Sequence, residues 1–344
     1  MKKQLIATLI VIITLTIPFL NFKYKEADES LLTVQQQFHT GLINFEQSIA
    51  QFNELAQNFD ASEASIQKLQ AAHLNNRLAF KQIELFLEYY ERFAVVKNLN
   101  GAPLPKTEPA VAEVLIVNPT GLQVLDELVF AEHPYEERKE IQKHAMNLVG
   151  SYQEIKDYQM EVAMTHRHVF EAARQELVRI FTLGVTGFDT PGSVNALPEA
   201  AAAMQSISDA IHAYYPLVES KNLVLVKEIK NTFNETIDYL ETNNDFDSFD
   251  RLTFLKKYIN PLYKLLYEFH LATGVETIAE VNPQPLPFNY DATNIFGDDF
   301  LNVEYFAQLD LDDPSSNKRI ELGKLLFFDP ILSSTNDRSC ASGR

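Results

Sequence analysis

From Ser30 to about Thr273 the hydrophobic positions recur at three- and four-residue steps, the spacing of amphipathic helices. Leu31, Val34, Phe38, Leu42, Phe45, Ile49, Phe52 and Leu55 trace one helix face. Asp60-Ala-Ser-Glu63 has the form of a helix start, with a second helix running to about Leu99. Gly101 to Pro109 holds three prolines and a glycine and reads as a loop, and Asn118-Pro-Thr-Gly121 as a turn. A short helix is expected from Leu122 to Glu132, then a long one from Pro134 through about Leu183. Gly184 to Pro198 reads as a loop, followed by helices near 198–214, 216–242 and 247–273. Pro216 and Pro261 are expected to kink them. Nothing here alternates with a period of two, so the pattern predicts an all-α bundle of about seven to eight helices, spanning 28–275.

Both flanks depart from this rhythm. Lys2 and Lys3 precede an apolar run from Leu5 to Leu20, the pattern of an export signal. The run falls short of the ~20 residues of a comfortable membrane span. Residues 1–25 are therefore expected to be a signal peptide or an N-terminal anchor, with the mature chain working in the periplasm. If uncleaved, the segment would tether the chain to the inner membrane. Beyond Gly274, Val281-Asn-Pro-Gln-Pro-Leu-Pro287 is extended and proline-rich, and Phe296 to Pro314 carries five aspartates and a glutamate. Residues 276–314 read as a linker. A last helix is expected from Ser315 to Phe327 or Phe328, ended by Asp329-Pro330.

Composition narrows the chemistry. The 344 residues carry 29 basic and 47 acidic side chains, a net charge of −18. Such a chain is a poor partner for nucleic acid, whose phosphates demand excess Lys and Arg. The single cysteine, Cys340, cannot form an internal disulfide, a four-thiolate zinc site or a complete Cys-x-x-Cys-His haem attachment. None of the eight histidines lies in a His-Glu-x-x-His pattern. His166-Arg-His168 places two imidazoles two apart, pointing different ways on a helix, and reads as a solvated face. No phosphate loop or nucleophile elbow is present, and no catalytic residue can be picked from the many carboxylates.

Gly121-Leu-Gln-Val-Leu-Asp126 resembles the Gly-x-His-x-x-Glu motif of imelysin-like proteins, and Arg77-Leu-Ala-Phe-Lys-Gln-Ile-Glu84 resembles a helix of that family. The resemblance implies a periplasmic helical bundle and a metal site at Gln123 and Asp126. Gln123 stands where the family has its His and Asp126 where it has its Glu, so the strongest metal donor is replaced by a neutral amide.

Phe300-Leu-Asn302, Glu321-Leu-Gly-Lys-Leu-Leu-Phe-Phe-Asp-Pro-Ile-Leu-Ser333 and Ser339-Cys-Ala-Ser342 resemble the opening of a bacterial di-haem cytochrome c peroxidase domain of the MauG-like kind. That resemblance implies a full-length protein that reduces hydrogen peroxide with two c-type haems. Its electrons would come from a small donor such as a cytochrome c or a cupredoxin. Residues 315–344 would be the truncated start of the haem domain, with Cys340 one half of its first attachment motif. Gly343 and Arg344 stand where the family has its second Cys and its His. The chain by itself is therefore expected neither to hold haem stably nor to turn over peroxide. The competing expectation is a non-catalytic imelysin-like binding or scaffold domain, in which metal has some part.

Overall fold

The computed structural model describes residues 2–108, 115–282, 284–307 and 315–343. The chain divides into two compact units, residues 1–277 and 278–344. The first unit is an all-α bundle. Its helices are α1 (Lys2–Asn58), α2 (Glu63–Ala94), α3 (Leu122–Val129), α4 (Arg138–Gln159) and α5 (His166–Arg179). They are followed by α6 (Ala196–His212), α7 (Tyr215–Glu219), α8 (Leu223–Thr242), α9 (Arg251–Phe254) and α10 (Asn260–Thr273). Among the described residues, seven of these are at least 14 residues long.

The expected face of α1 is the buried one: Val34, Phe38, Leu42, Phe45, Ile49 and Phe52 are all in the core. Leu31 and Leu55, at its two ends, are half-buried. Phe45 meets Phe80 of α2 and stands edge-on to Tyr152 of α4 at 4.7 Å. The Tyr152 hydroxyl donates to the Leu42 carbonyl at 2.8 Å, so the buried phenol is satisfied while it packs. Gly41 lets α1 and α2 approach closely, since a Cβ there would lie 2.5 Å from the stiff Ile83 side chain. The second helix starts where expected, with Ser62 as its cap accepting from the Ser65 N–H. Among the described residues, no helix is long and apolar enough to cross a membrane.

Four expectations need correction. The proline-rich loop contains a short antiparallel hairpin, β1 (Lys106–Glu108) with β2 (Leu115–Val117); Pro109, its last residue, lies outside the described residues. A three-residue strand is too short for a period of two to show. The long helix expected from Pro134 to Leu183 is two helices. Its first residues are turns, and Thr165 caps a new start at His166 by accepting from the His168 N–H. The expected helix 216–242 likewise restarts at Leu223, where the Asn222 side chain accepts from the Leu225 N–H. Expected helix ends at Leu99 and Leu183 and the helix through Pro261 each carry a wider π-type turn, at Val95–Leu99, Ile180–Gly184 and Leu255–Ile259.

In the second unit the linker is more structured than expected. It holds α11 (Ile278–Val281) and α12 (Val303–Ala307), and Phe288 pairs with Leu301 while its ring stacks on Phe300 at 4.8 Å. Residues 308–314 of the expected linker lie outside the described residues. The last helix, α13 (Ser316–Phe328), ends as the Asp-Pro stop requires, with the Asp329 carboxylate accepting from the Ile331 N–H.

Candidate functional site

Along α2, His73, Arg77, Lys81, Glu84 and Glu88 fall at steps of four, four, three and four, which places them on one face. All five are buried. A helix can hide such a stripe only if other elements bring partners to it, because an unpaired internal charge is severely destabilising. Arg77 is paired by Glu199 of α6, with Nη2 2.6 Å from Oε2 and Nε 3.0 Å from Oε1, while its Nη1 donates to the Asn100 side chain at 2.7 Å. Lys81 Nζ lies 2.7 Å from Glu84 Oε2 and 2.7 Å from Asp189 Oδ2. Arg179, at the end of α5, reaches Glu84 at 2.8 Å, Glu88 at 3.3 Å and Asp189 at 3.6 Å.

Three cations, Arg77, Lys81 and Arg179, thus meet four carboxylates, Glu84, Glu88, Asp189 and Glu199. Burial would push the Asp189 carboxyl up, but Lys81 and Arg179 override it and hold it well below the usual range. The same competition leaves Glu84 ionised. Glu176 sits on the other side of the balance: burial and the Glu84 charge push its carboxyl well above the usual range. Glu88, at the edge of the cluster, is pushed up to about 7 by burial and by Glu84, against the pull of Arg179.

Gln123 and Asp126, the two residues expected to hold a metal, are brought into this centre by α3. The Gln123 amide donates both its N–H groups, to the Asn100 carbonyl at 3.2 Å and to Asp189 Oδ1 at 3.1 Å. Asp126 Oδ2 accepts the backbone N–H groups of Gly192 and Ser193 at 2.7 and 2.9 Å. Its Oδ1 lies 3.2 Å from His73 Nε2. Burial opposes ionisation of Asp126, and His73 with the hydrogen bonds from Ser193 pulls its carboxyl below the usual range. These contacts make Asp126 a clamp on the 185–195 loop. The donor set does not fit a metal: the amide faces the cluster with its nitrogen, and among the described residues no group of three or more His, Cys, Asp and Glu is placed to hold an ion.

The remaining expected positions lie apart. His166 and His168 point different ways, as the spacing requires, but they are half-buried rather than solvated. His166 meets the Tyr214 hydroxyl and His168 the Tyr90 hydroxyl, each at 3.0 Å. The reason is the close packing of α5 against α2 and α6. Cys340 is a free, exposed thiol in the short 3₁₀ turn Cys340–Gly343 of the second unit. Sequence reasoning missed Lys81, Glu84, Asp189, Arg179 and Glu199 as one cluster. The signal available was the charged stripe on α2, whose period matched the helix.

A separate feature of the first unit is a solvent-open cleft of about 790 Å³ between α1, α2, α6 and α8. Gln36, Gln37, Asn44, Gln82, Gln205 and Asn244 contribute amides to its walls, and Phe38, Phe86 and Leu240 are among the buried apolar residues lining it. Asp209 and Glu241 add carboxylates, and none of its lining residues is Lys, Arg or His.

No family model matches the chain, and no curated protein matches it. Among solved structures, an imelysin-like protein from Psychrobacter arcticum 273-4 is similar at 12% identity. The match covers 73% of this chain and 93% of that one, with a TM-score of 0.47. No residue role is carried over from it.

The ion-pair centre makes two measurable predictions. Glu199→Ala strands the Arg77 guanidinium in the core and is expected to cost about 3–5 kcal/mol by urea unfolding. The double change Arg77→Met/Glu199→Leu is expected to recover most of that loss. Glu88 sets a pH dependence. Its folded value of about 7 lies above its ordinary 4.5, so its contribution is fully present below pH 4.5 and is lost as pH rises through 7. Relative to Glu88→Gln, wild-type stability is expected to fall by about 3 kcal/mol across that window, measured as urea midpoints at each pH.

Proposed function

We propose that the helical unit is a non-catalytic binding domain, a rigid bundle that presents the α1/α2/α6/α8 cleft to a neutral, hydroxyl-rich ligand of mono- to disaccharide size. The cleft carries this reading. Its volume suits a small molecule, and its amides can both donate and accept, as a ligand with many hydroxyls requires. Apolar residues offer contact for the C–H faces of such a ligand. Asp209 and Glu241, with no lining cation beside them, disfavour anions. The charged centre supports the same reading from the other side, because its ionised groups are consumed by one another and shielded from a substrate. The export pattern of the N-terminus fits a periplasmic setting for such a domain.

Ala202 lines the cleft and is half-exposed, so Ala202→Trp is expected to fill it without entering the core. Wild-type protein titrated with neutral saccharides is expected to gain melting temperature with at least one of them, and Ala202→Trp to lose that gain at unchanged basal stability. An equal response in both proteins, or none across the panel, removes the cleft as the binding site.

A second reading attaches to the C-terminal unit, which resembles the opening of a di-haem peroxidase domain. The exposed Cys340 thiol supports it, as do Leu322, Leu325, Phe328 and Ile331, apolar side chains that lie open to solvent. Under this reading Cys340 is a single thioether attachment point in a chain that neither retains haem nor turns over peroxide. Protein matured with haem is expected to show no stable covalent Soret band. A covalent Soret-absorbing species with peroxidase activity overturns that expectation.

A further inference from the structure

The metal motif that residues 121–126 resemble and the cluster they join disagree, and the disagreement has a structural cause. At the centre of the cluster is an ammonium group. Lys81 Nζ is 2.7 Å from a carboxylate oxygen of its own helix, Glu84, and 2.7 Å from one of the 185–195 loop, Asp189. A hard cation bridges carboxylates of separate elements in this way, at the slightly shorter 2.0–2.6 Å of a metal–oxygen bond. A second observation points to the same place. Gln123 Oε1 is buried with no hydrogen-bond partner, while its amide nitrogen is turned to Asp189. That orientation is the one a site already holding its cation elsewhere would select, since Asp189 needs a donor from Gln123. With a metal beside Asp189, half a turn of the amide would present Oε1 instead, giving up the N–H bond to the Asn100 carbonyl.

We propose that the Lys81 ammonium is the resident cation of this centre, a tethered substitute for a divalent metal. Removing it uncovers a hard-cation site made of Glu84, Asp189 and Gln123 Oε1. Oxygen donors alone favour Mn²⁺, Mg²⁺ or Ca²⁺ over softer metals. Arg179 stays close to both carboxylates and keeps the uncovered site weaker than a purpose-built one.

The test uses the full chain with Mn²⁺ as probe. Lys81→Ala is expected to melt below wild type and to recover by about 5 °C in millimolar Mn²⁺, with one ion bound per chain. Wild type is expected to shift by less than about 1 °C under the same conditions. Lys81→Ala/Asp189→Asn is expected to lose the recovery. A folded Lys81→Ala that binds no Mn²⁺, or a recovery indifferent to Asp189→Asn, overturns the proposal. If Lys81→Ala folds neither with nor without Mn²⁺, the wild-type chain decides by ¹⁵N-lysine NMR. A Lys81 ammonium resonance that is protected from exchange and unbroadened by one equivalent of Mn²⁺ upholds the assignment. Selective broadening of that resonance shows that metal can enter beside the lysine and overturns it.

Discussion

The structure depends on the pairing of buried cations along α2. A guanidinium and an ammonium in a helical core are tolerable only when carboxylates meet them at hydrogen-bond distance, because neither can be left without compensation away from water. Arg77 and Lys81 therefore fix where Glu199 and Asp189 must stand. These partners lie 122 and 108 residues away, on α6 and on the loop that precedes it. Arg179 adds the end of α5 to the same constraint. One stripe of charge thus ties α2 to α5, to α6 and to the 185–195 loop.

The 185–195 loop is ordered by that demand. It supplies Asp189 to Lys81, and it is held from the other side by Asp126, whose carboxylate takes two of its backbone N–H groups. Gly192 is required at this point: a Cβ there would lie 2.4 Å from the Asp126 carbonyl oxygen. Gly121 plays the matching part at the start of α3, where a φ of 103° and the near Leu99 carbonyl both exclude a side chain. So Gly121 and Asp126 have clear uses, in backbone geometry and in loop capture. Gln123, between them, is a hydrogen-bond donor that supports Asp189.

A centre organised in this way has little to offer a substrate. Its carboxylates are committed to cations, and the cluster is screened by packed helices. Under the proposed reading, recognition by the helical unit falls to its surface. The cleft between α1, α2, α6 and α8 combines amides, carboxylates and an apolar lining, a composition unlike the ion-paired centre. Rigidity of the centre benefits such a cleft, because α2 and α6 contribute to both.

The sequence by itself determined the helical class, the buried face of α1, the Ser62 start of α2 and the Asp329 stop of α13. Each is a local matter of periodicity or capping, decided within a few residues. Gln123 and Asp126 were expected to hold a metal, and the structure brings both against the charged centre as hydrogen-bonding groups. The tertiary structure decided what those residues do. The helix breaks at Thr165 and Asn222 hang on single side-chain caps inside otherwise continuous patterns, which periodicity cannot distinguish from uninterrupted helix. The pairing of Arg77 with Glu199 and Lys81 with Asp189 had no local signature at all. Charges on a helix face are usually solvated, and only the packing of distant elements turned this stripe inward.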